Sequence, residues 1–225
     1  LDVLRVLQRE PDVAAIVVDD LAAATAGDPH LAAGQERLNT ILRHLREGVA
    51  WLEHGLAAGP TFAPAVRAEA LSTLGWLVNM LGDTPRAKQL QLESLALCRA
   101  CGDERGMAEA LDALGDSAWF DGALDEAKSY YTEGLALRRR LGSPSAIGLA
   151  LYSLGRLEVD HGSVEEAQPL LEEALDILRR AADPRGVALA LNGLGRAALR
   201  RDEPAVADRL IRDALVTFAE LGNRI

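Results

Sequence analysis

Cys98 and Cys101 form the only C-x-x-C of the chain. At that spacing two sulfurs can share a disulfide or bind a soft metal ion. A zinc site needs a second pair of ligands, however, and a redox site needs a thioredoxin-like context. Neither accompanies this pair. Cys101 falls in register with Leu141, Ala181 and Leu221, which are core-type positions, so both cysteines read as small buried hydrophobes near a helix end. A redox pair is the enzymatic alternative. The histidines, His30, His44, His54 and His161, share no metal-ligand spacing and read as solvent or interface residues. Glu165-Glu166 and Glu172-Glu173 fall on a predicted helix and read as its solvated face. No P-loop, nucleotide-binding glycine pattern or nucleophile elbow is present. The expectation is a chain that is not an enzyme in its own right and has no metal or cofactor site.

Composition narrows the class further. Hydrophobic residues make up 49% of the 225 residues but aromatic ones only 4%, and Ala and Leu dominate. That mix favours closely packed helices over sheets, which draw on Val, Ile, Tyr and Phe. The net charge of −10 is spread along the chain and argues against a nucleic-acid surface, which needs clustered Lys and Arg. Apolar stretches are short and broken by charge, so no membrane span is expected. No basic segment leads into an apolar one, so no signal peptide is read. Two cysteines do not make a disulfide framework, and a cytoplasmic setting is the default. The chain opens on Leu1 rather than Met, which reads as a piece of a longer protein.

Self-similarity organises the rest. Leu71-x-x-Leu74-Gly75 returns as Leu111-x-x-Leu114-Gly115, Leu151-x-x-Leu154-Gly155 and Leu191-x-x-Leu194-Gly195, every 40 residues. Twelve residues after each glycine stands an alanine: Ala87, Ala127, Ala167 and Ala207. A turn signal lies between them at Gly82, Gly122 and Gly162, with Asp202 in the last copy. A later apolar anchor follows at Leu95, Leu135, Leu175 and Leu215.

Each unit reads as two helices, because its apolar residues recur with the period of one helical face. Ser143-Pro144 and Asp183-Pro184 mark the start of the first helix with a cap and a proline; Ala63-Pro64 keeps only the proline and Asp103-Glu104 only the cap. The second helix follows the glycine turn, with Asp83 as one cap and Ser163-x-x-Glu166 as a capping box. It stops near Gly102, Gly142, Ala182 and Gly222. A glycine inside a helix costs roughly 1 kcal/mol against alanine. Four at one repeat position therefore imply close helix approach, with the facing alanine of the second helix filling the gap. Pro169 falls inside a second helix and should bend it locally.

These residues resemble tetratricopeptide (TPR) repeats. The Leu-Gly pair, the glycine turn, the second-helix alanine and the following small residue (Ser94, Gly134, Ala174, Ala214) all have counterparts there. The chain departs from the common form in its longer repeat, 40 residues against about 34. Arg99, Arg139 and Arg179 stand where a proline is usual. The resemblance implies an all-α, TPR-like α-solenoid of antiparallel helix pairs in a right-handed superhelix. Residues 1–30 would form an N-terminal helical cap and 31–63 a degenerate helix pair. Residues 64–225 would hold four repeats, about 64–103, 104–143, 144–183 and 184–223, all in one contiguous domain. Within the cap, Val13 to Leu21 reads as helix, although Ala15-Ile16-Val17-Val18 alone would suit a strand.

The long repeat is similar to the sensor region of bacterial transcription regulators of the MalT/LuxR and AfsR type. His44-Leu45-Arg46-Glu47-Gly48-Val49-Ala50-Trp51-Leu52-Glu53-His54-Gly55-Leu56 resembles the start of that region. Asp103-Glu104-Arg105-Gly106 and Asp183-Pro184-Arg185-Gly186 also resemble that group. Long repeats of this kind occur in adenylate cyclases, kinases and eukaryotic signalling scaffolds too. The implied function is a protein- or ligand-binding sensor or scaffold, with a generic adaptor for a peptide or helix as the alternative. An NTPase module would lie elsewhere in the parent protein.

The TPR resemblance places the binding surface on the first helices, one step after the Leu-Gly glycine. That stripe is Trp76, Asp116, Arg156 and Arg196, flanked by Ser72, Asp112, Tyr152 and Asn192 and by Asn79, Trp119, Val159 and Leu199. Core positions keep one residue type in each copy, whereas these vary, as a recognition surface does. Asp112 and Asp116 make an acidic half; Arg156, Arg196 and Arg200 make a basic half suited to carboxylates or phosphates. Trp76, Trp119 and Tyr152 would anchor apolar groups. The competing reading is that Asp116 and Arg156 pair with each other across adjacent repeats. Expected partners are a protein, a peptide or a small effector in this groove, or another copy at the C-terminal repeat end; nucleic acid and membrane are not expected.

Overall fold

The computed structural model describes residues 29–58 and 62–222. Every regular element among them is a helix: α1 Pro29–Ala58, α2 Pro64–Met80, α3 Thr84–Cys101, α4 Glu104–Phe120, α5 Leu124–Leu141, α6 Pro144–His161, α7 Val164–Arg180, α8 Pro184–Arg200 and α9 Pro204–Gly222. The chain divides into two compact units, Leu1–Gly106 and Met107–Ile225. The expected N-terminal cap, including both readings of residues 15–18, lies outside the described residues.

The degenerate helix pair expected at 31–63 is instead the single 30-residue helix α1. Its glycines are isolated among Leu, Ala, Arg and Glu, and no Gly-Asp or proline signal interrupts it to turn the chain. Its side of the first unit contributes Val49, Leu52 and Leu56 to a cluster with Leu74, Val78, Ala87 and Leu90 of α2 and α3.

Hydrogen bonds mark where the helices begin. Asp83, Asp103 and Asp183 accept from the amides of Arg86 (3.2 Å), Gly106 (2.9 Å) and Gly186 (2.9 Å). Ser163 accepts from Glu166 N (3.3 Å), but the expected capping box is not closed. The Ser163 hydroxyl donates to Glu165 (2.7 Å), while the Glu166 carboxylate faces Lys128 (3.4 Å). Ser143 makes no side-chain cap bond, contrary to expectation; Pro144 starts α6 without it. The turns use left-handed backbone at Gly82 and Gly122, and Asp202 adopts the same region (φ 59°) in the last copy. Gly162 does not (φ −112°), and a Cβ there would crowd the carboxylate end of the Glu158 side chain. Helix α7 runs uninterrupted through Pro169.

Within each repeat the two helices pair antiparallel. Ser94 Oγ donates to Ala68 O (2.7 Å) and Gln91 Nε2 to Ser72 O (2.9 Å), so as one helix advances the other retreats. In the second unit one continuous apolar cluster runs from Ala118 through Tyr131, Leu151, Leu175, Leu178 and Leu191 to Ala214. The repeat leucines 71, 111, 151 and 191 are at most 5% exposed, and alanines 87, 127, 167 and 207 at most 1%.

Three core expectations need amending. The repeat glycines face more than those alanines: Gly155 and Gly195 do lie against Ala167 and Ala207, whose carbonyl oxygens would be 3.4 and 3.5 Å from a Cβ, but a longer side chain comes closer. A Cβ on Gly75, Gly115, Gly155 or Gly195 would meet Gln91, Tyr131, Leu171 or Ile211 at 2.6, 2.5, 2.6 and 2.7 Å. That side chain, one helical turn beyond the alanine, is what the missing Cβ admits. Leu215 is 61% exposed, unlike Leu175 at 9%, because α8 covers Leu175 and no described helix follows α9. Cys98 is buried but Cys101 is exposed, since it ends its helix; Leu141, in the same register, is 45% exposed.

Candidate functional site

Of the expected groove residues, the half-buried Ser72 and Asn79 and the 54% exposed Trp76 lie on α2 in the first unit. Asp112, Asp116, Trp119, Tyr152, Arg156, Val159, Asn192, Arg196, Leu199 and Arg200 lie on α4, α6 and α8 in the second. Adjacent first helices run side by side there, so residues about one repeat apart meet.

Arg156 Nη2 donates to Asp116 Oδ1 at 2.8 Å, which is the pairing reading of these two residues. The same guanidinium stacks over the Trp119 ring, 4.4 Å from its centroid, and lies 6.0 Å from that of Tyr152. Arg196 pairs with Asp160, and Arg200 donates to the carbonyl of Val159. Asp112 pairs with Arg138 of α5 (2.7 Å). The acidic and basic halves are thus joined within the protein. Asn192 is half-buried on α8, and Tyr152 lies against the same helix at Gly193, whose Cβ would be 3.5 Å from its ring.

Residues beneath the surface hold this arrangement, and the sequence reading passed over them. Tyr131 is 1% exposed and passes under Gly115; its hydroxyl donates to Asp116 Oδ1 (2.6 Å) and accepts from Arg156 Nη2 (3.3 Å). Burial, reinforced by Asp116, pushes its phenol well above the ordinary tyrosine range, so it remains a donor. Arg138 is 9% exposed, donates to Ala108 O (3.3 Å), and stands where other copies carry Cys98, Leu178 and Phe218. That break in an apolar series was the available signal. Burial pushes the Asp112 carboxyl up to about 6, although Arg138 pulls it down. For Arg156, burial works to lower the pKa, but Asp116, Tyr131 and Tyr152 more than offset it.

A second ion pair has a buried carboxylate and an exposed ammonium. Glu158, 6% exposed, occupies the register of Val78, Ala118 and Ala198 and bonds Lys128 Nζ at 2.7 Å. Glu158 raises the Lys128 pKa. Among the described residues no group of three or more His, Cys, Asp or Glu is placed to hold a metal ion, and no helix is long and apolar enough to cross a membrane.

This is the TPR-like fold, and residues 66–140 match the family model of the tetratricopeptide repeat. Solved structures extend the likeness in shape over most of the chain. BtubC (BKLC) from P. vanneervenii is 18% identical with a TM-score of 0.68, covering 94% of this chain and 90% of that one. A putative kinesin light chain from Podosopora anserina, with nearly identical TPR-like repeats, is 17% identical at a TM-score of 0.62, covering 85% and 96%. The apo form of RapI is 12% identical at 0.66, covering 88% and 67%. No curated protein matches the sequence.

Proposed function

We propose that this chain is a binding domain whose first-helix face in the second unit recognises a segment of a partner protein. The supporting observation is the contrast between positions. Leu111, Leu151 and Leu191 repeat in the core, while the surface register above them reads Asp116, Arg156 and Arg196 with Trp119 and Tyr152 alongside. Arginine and aromatic side chains on one face are what protein recognition favours. Because the charges are already paired, a ligand gains little from a bare anion and more from contacts that leave Asp116–Arg156 and Asp160–Arg196 in place. Selection of a displayed peptide library on the chain tests this. Enriched peptides should lose binding with Arg156→Ala and Arg196→Ala; binders indifferent to both substitutions would refute it.

The finer reading is that the domain is the regulatory part of a larger bacterial transcription regulator. Its support is the resemblance carried by residues 44–56 and by Asp103-Glu104-Arg105-Gly106 and Asp183-Pro184-Arg185-Gly186. A selected peptide should then change DNA binding or NTP turnover by the parent protein. A parent with neither activity would leave the adaptor reading, in which the domain only holds its partner.

A further inference from the structure

The first helices of the second unit lean on the ones before them. Arg156 of α6 reaches back to Asp116 and Trp119 of α4. On α8, Gly193 lies against Tyr152, Arg196 pairs with Asp160 and Arg200 bonds the Val159 carbonyl, all on α6. Carried back by whole repeats, the places of Gly193, Arg196 and Arg200 fall on Thr73, Trp76 and Met80 of α2. There the face is bare. Helix α1 packs instead on Leu74 and Val78, on the other side of α2.

The bare face is a stripe with alternating steps of three and four residues. Val66, Glu69, Thr73, Trp76 and Met80 follow one another along α2, and Phe62 stands just ahead of it. All six are exposed, the four apolar ones by 43–54%. Apolar residues at that spacing form the seam by which two helices pair in a coiled coil. Scattered exposed hydrophobics need no explanation, but four on one stripe mark a contact.

The order of residues in the stripe selects the occupant. From either end it runs apolar, apolar, polar, polar, apolar, apolar. Two copies laid antiparallel about a two-fold axis level with Leu71 therefore bring Val66 onto Trp76 of the other copy and Phe62 onto Met80. Glu69 falls opposite Thr73, so the polar residues also meet each other. A foreign helix requires no such symmetry. A two-fold interface does, because if one residue touches another, the reverse contact must be equally good.

We propose that α2 is the interface of a two-fold homodimer, in which the α2 helices of two copies pair antiparallel along this stripe. The dimer is independent of the groove in the second unit, and it puts self-association on the first unit rather than at the C-terminal repeat end. One 17-residue helix from each copy makes a contact at the small end of stable interfaces. Dimerisation should therefore be weak and depend on concentration.

The test is sedimentation velocity of the whole chain over a concentration series reaching that of an NMR sample. The expected result is a monomer that passes to a dimer and stops there, because a two-fold contact closes on itself. Val66→Glu and Trp76→Glu each place two carboxylates in the seam and should weaken dimerisation by at least about 30-fold. Both side chains are exposed, so circular dichroism should show the fold unchanged. Thr73 supplies a gentler contrast. Thr73→Lys faces Glu69 of the other copy and should tighten the dimer about threefold at low salt, while Thr73→Glu should loosen it. Leu215→Glu, at the exposed C-terminal face, should change nothing. A chain that stays monomeric throughout overturns the proposal and leaves the stripe to a helix of another protein. So does growth beyond two copies, or a dimer broken by Leu215→Glu and not by Val66→Glu. Equal responses to Thr73→Lys and Thr73→Glu would refute the antiparallel register on which the dimer stands.

Discussion

The helix pairs α4–α5 and α6–α7 share their framework but fill it with opposite chemistry. Leu111 and Leu151, Leu114 and Leu154, Ala127 and Ala167, and Leu135 and Leu175 occupy matching places, each at most 9% exposed. Under the repeat glycine, however, the first pair places Tyr131 and the second Leu171. One register further along, the first places Arg138 and the second Leu178. Leu178 is closed in by α6 and α8, where Cβ atoms on Gly148 and Gly186 would each approach it to 2.5 Å. Arg138 instead reaches Ala108 O and Asp112, while Tyr131 carries a second polar path to Asp116 and Arg156. The fold therefore demands a filled volume at these places and tolerates charge where a partner satisfies it. The polar filling has a consequence the apolar one lacks: it ties the core of one pair to the groove residues of the next.

Removing one member of the buried pair tests that contrast hardest. Arg138→Leu imports the α7 residue but leaves Asp112 without its guanidinium. Breaking a buried pair costs about 3–5 kcal/mol; with Asp112 still 30% exposed, a loss of about 3 kcal/mol in urea unfolding at pH 8 is expected. Adding Asp112→Tyr copies the third repeat at both places and should recover most of it. If the double variant is no more stable than the single one, the two pairs are not interchangeable in the way argued. Titration sharpens the point. Burial, the dominant cause, holds the Asp112 carboxyl near 6 against an ordinary 3.8, so the folded chain binds this proton more tightly than the unfolded one. Its contribution to stability falls as pH rises from about 4 to about 6 and is level above that. Asp112→Asn should remove that slope, and the pH dependence of the unfolding midpoint shows whether it does.

The glycines come next in size. Gly115→Ala drives a Cβ to 2.5 Å from the buried Tyr131 ring, whereas Gly155→Ala meets Leu171 Cγ at 2.6 Å. Overpacking costs roughly 1–3 kcal/mol, and alanine returns about 1 kcal/mol of helix propensity. Because a wedged ring has fewer escapes than a leucine, Gly115→Ala should lose about 2 kcal/mol and Gly155→Ala about 1. Replacing Tyr131 by Leu alongside Gly115→Ala should bring the first to the level of the second. Equal losses in the two single variants would mean that the ring is not what the glycine accommodates.

Whatever recurs was legible in the sequence: the helix pairs, the left-handed turns at Gly82 and Gly122, and the buried leucines. Periodicity reports a demand shared by every copy. It does not report an exception: Arg138 and Glu158 stand where other copies are apolar, and Tyr131 stands at a place that varies from copy to copy. The glycine–alanine contact was legible because alanine recurs; the closer neighbour was not, because it varies as Gln91, Tyr131, Leu171 and Ile211. The site was legible as a list of surface positions. Of the pairings, Asp116 with Arg156 was open to the sequence as the competing reading, whereas Arg196 with Asp160 was not, because it depends on side-chain reach between helices.

The smallest expected effect separates two helix starts that look alike in sequence. Ser143-Pro144 and Asp183-Pro184 both pair a capping residue with proline, but only Asp183 accepts an amide, from Gly186 N at 2.9 Å. Loss of a working cap costs about 1 kcal/mol, so Asp183→Ala should lower stability by about that much. Ser143→Ala removes no cap bond and should change it by less than about 0.5 kcal/mol, the range of an ordinary surface substitution. Both starts have proline at the first helical position, so that advantage cancels between them. A cost at Ser143 equal to that at Asp183 would mean that its hydroxyl caps α6 in solution, and the two starts would then be alike.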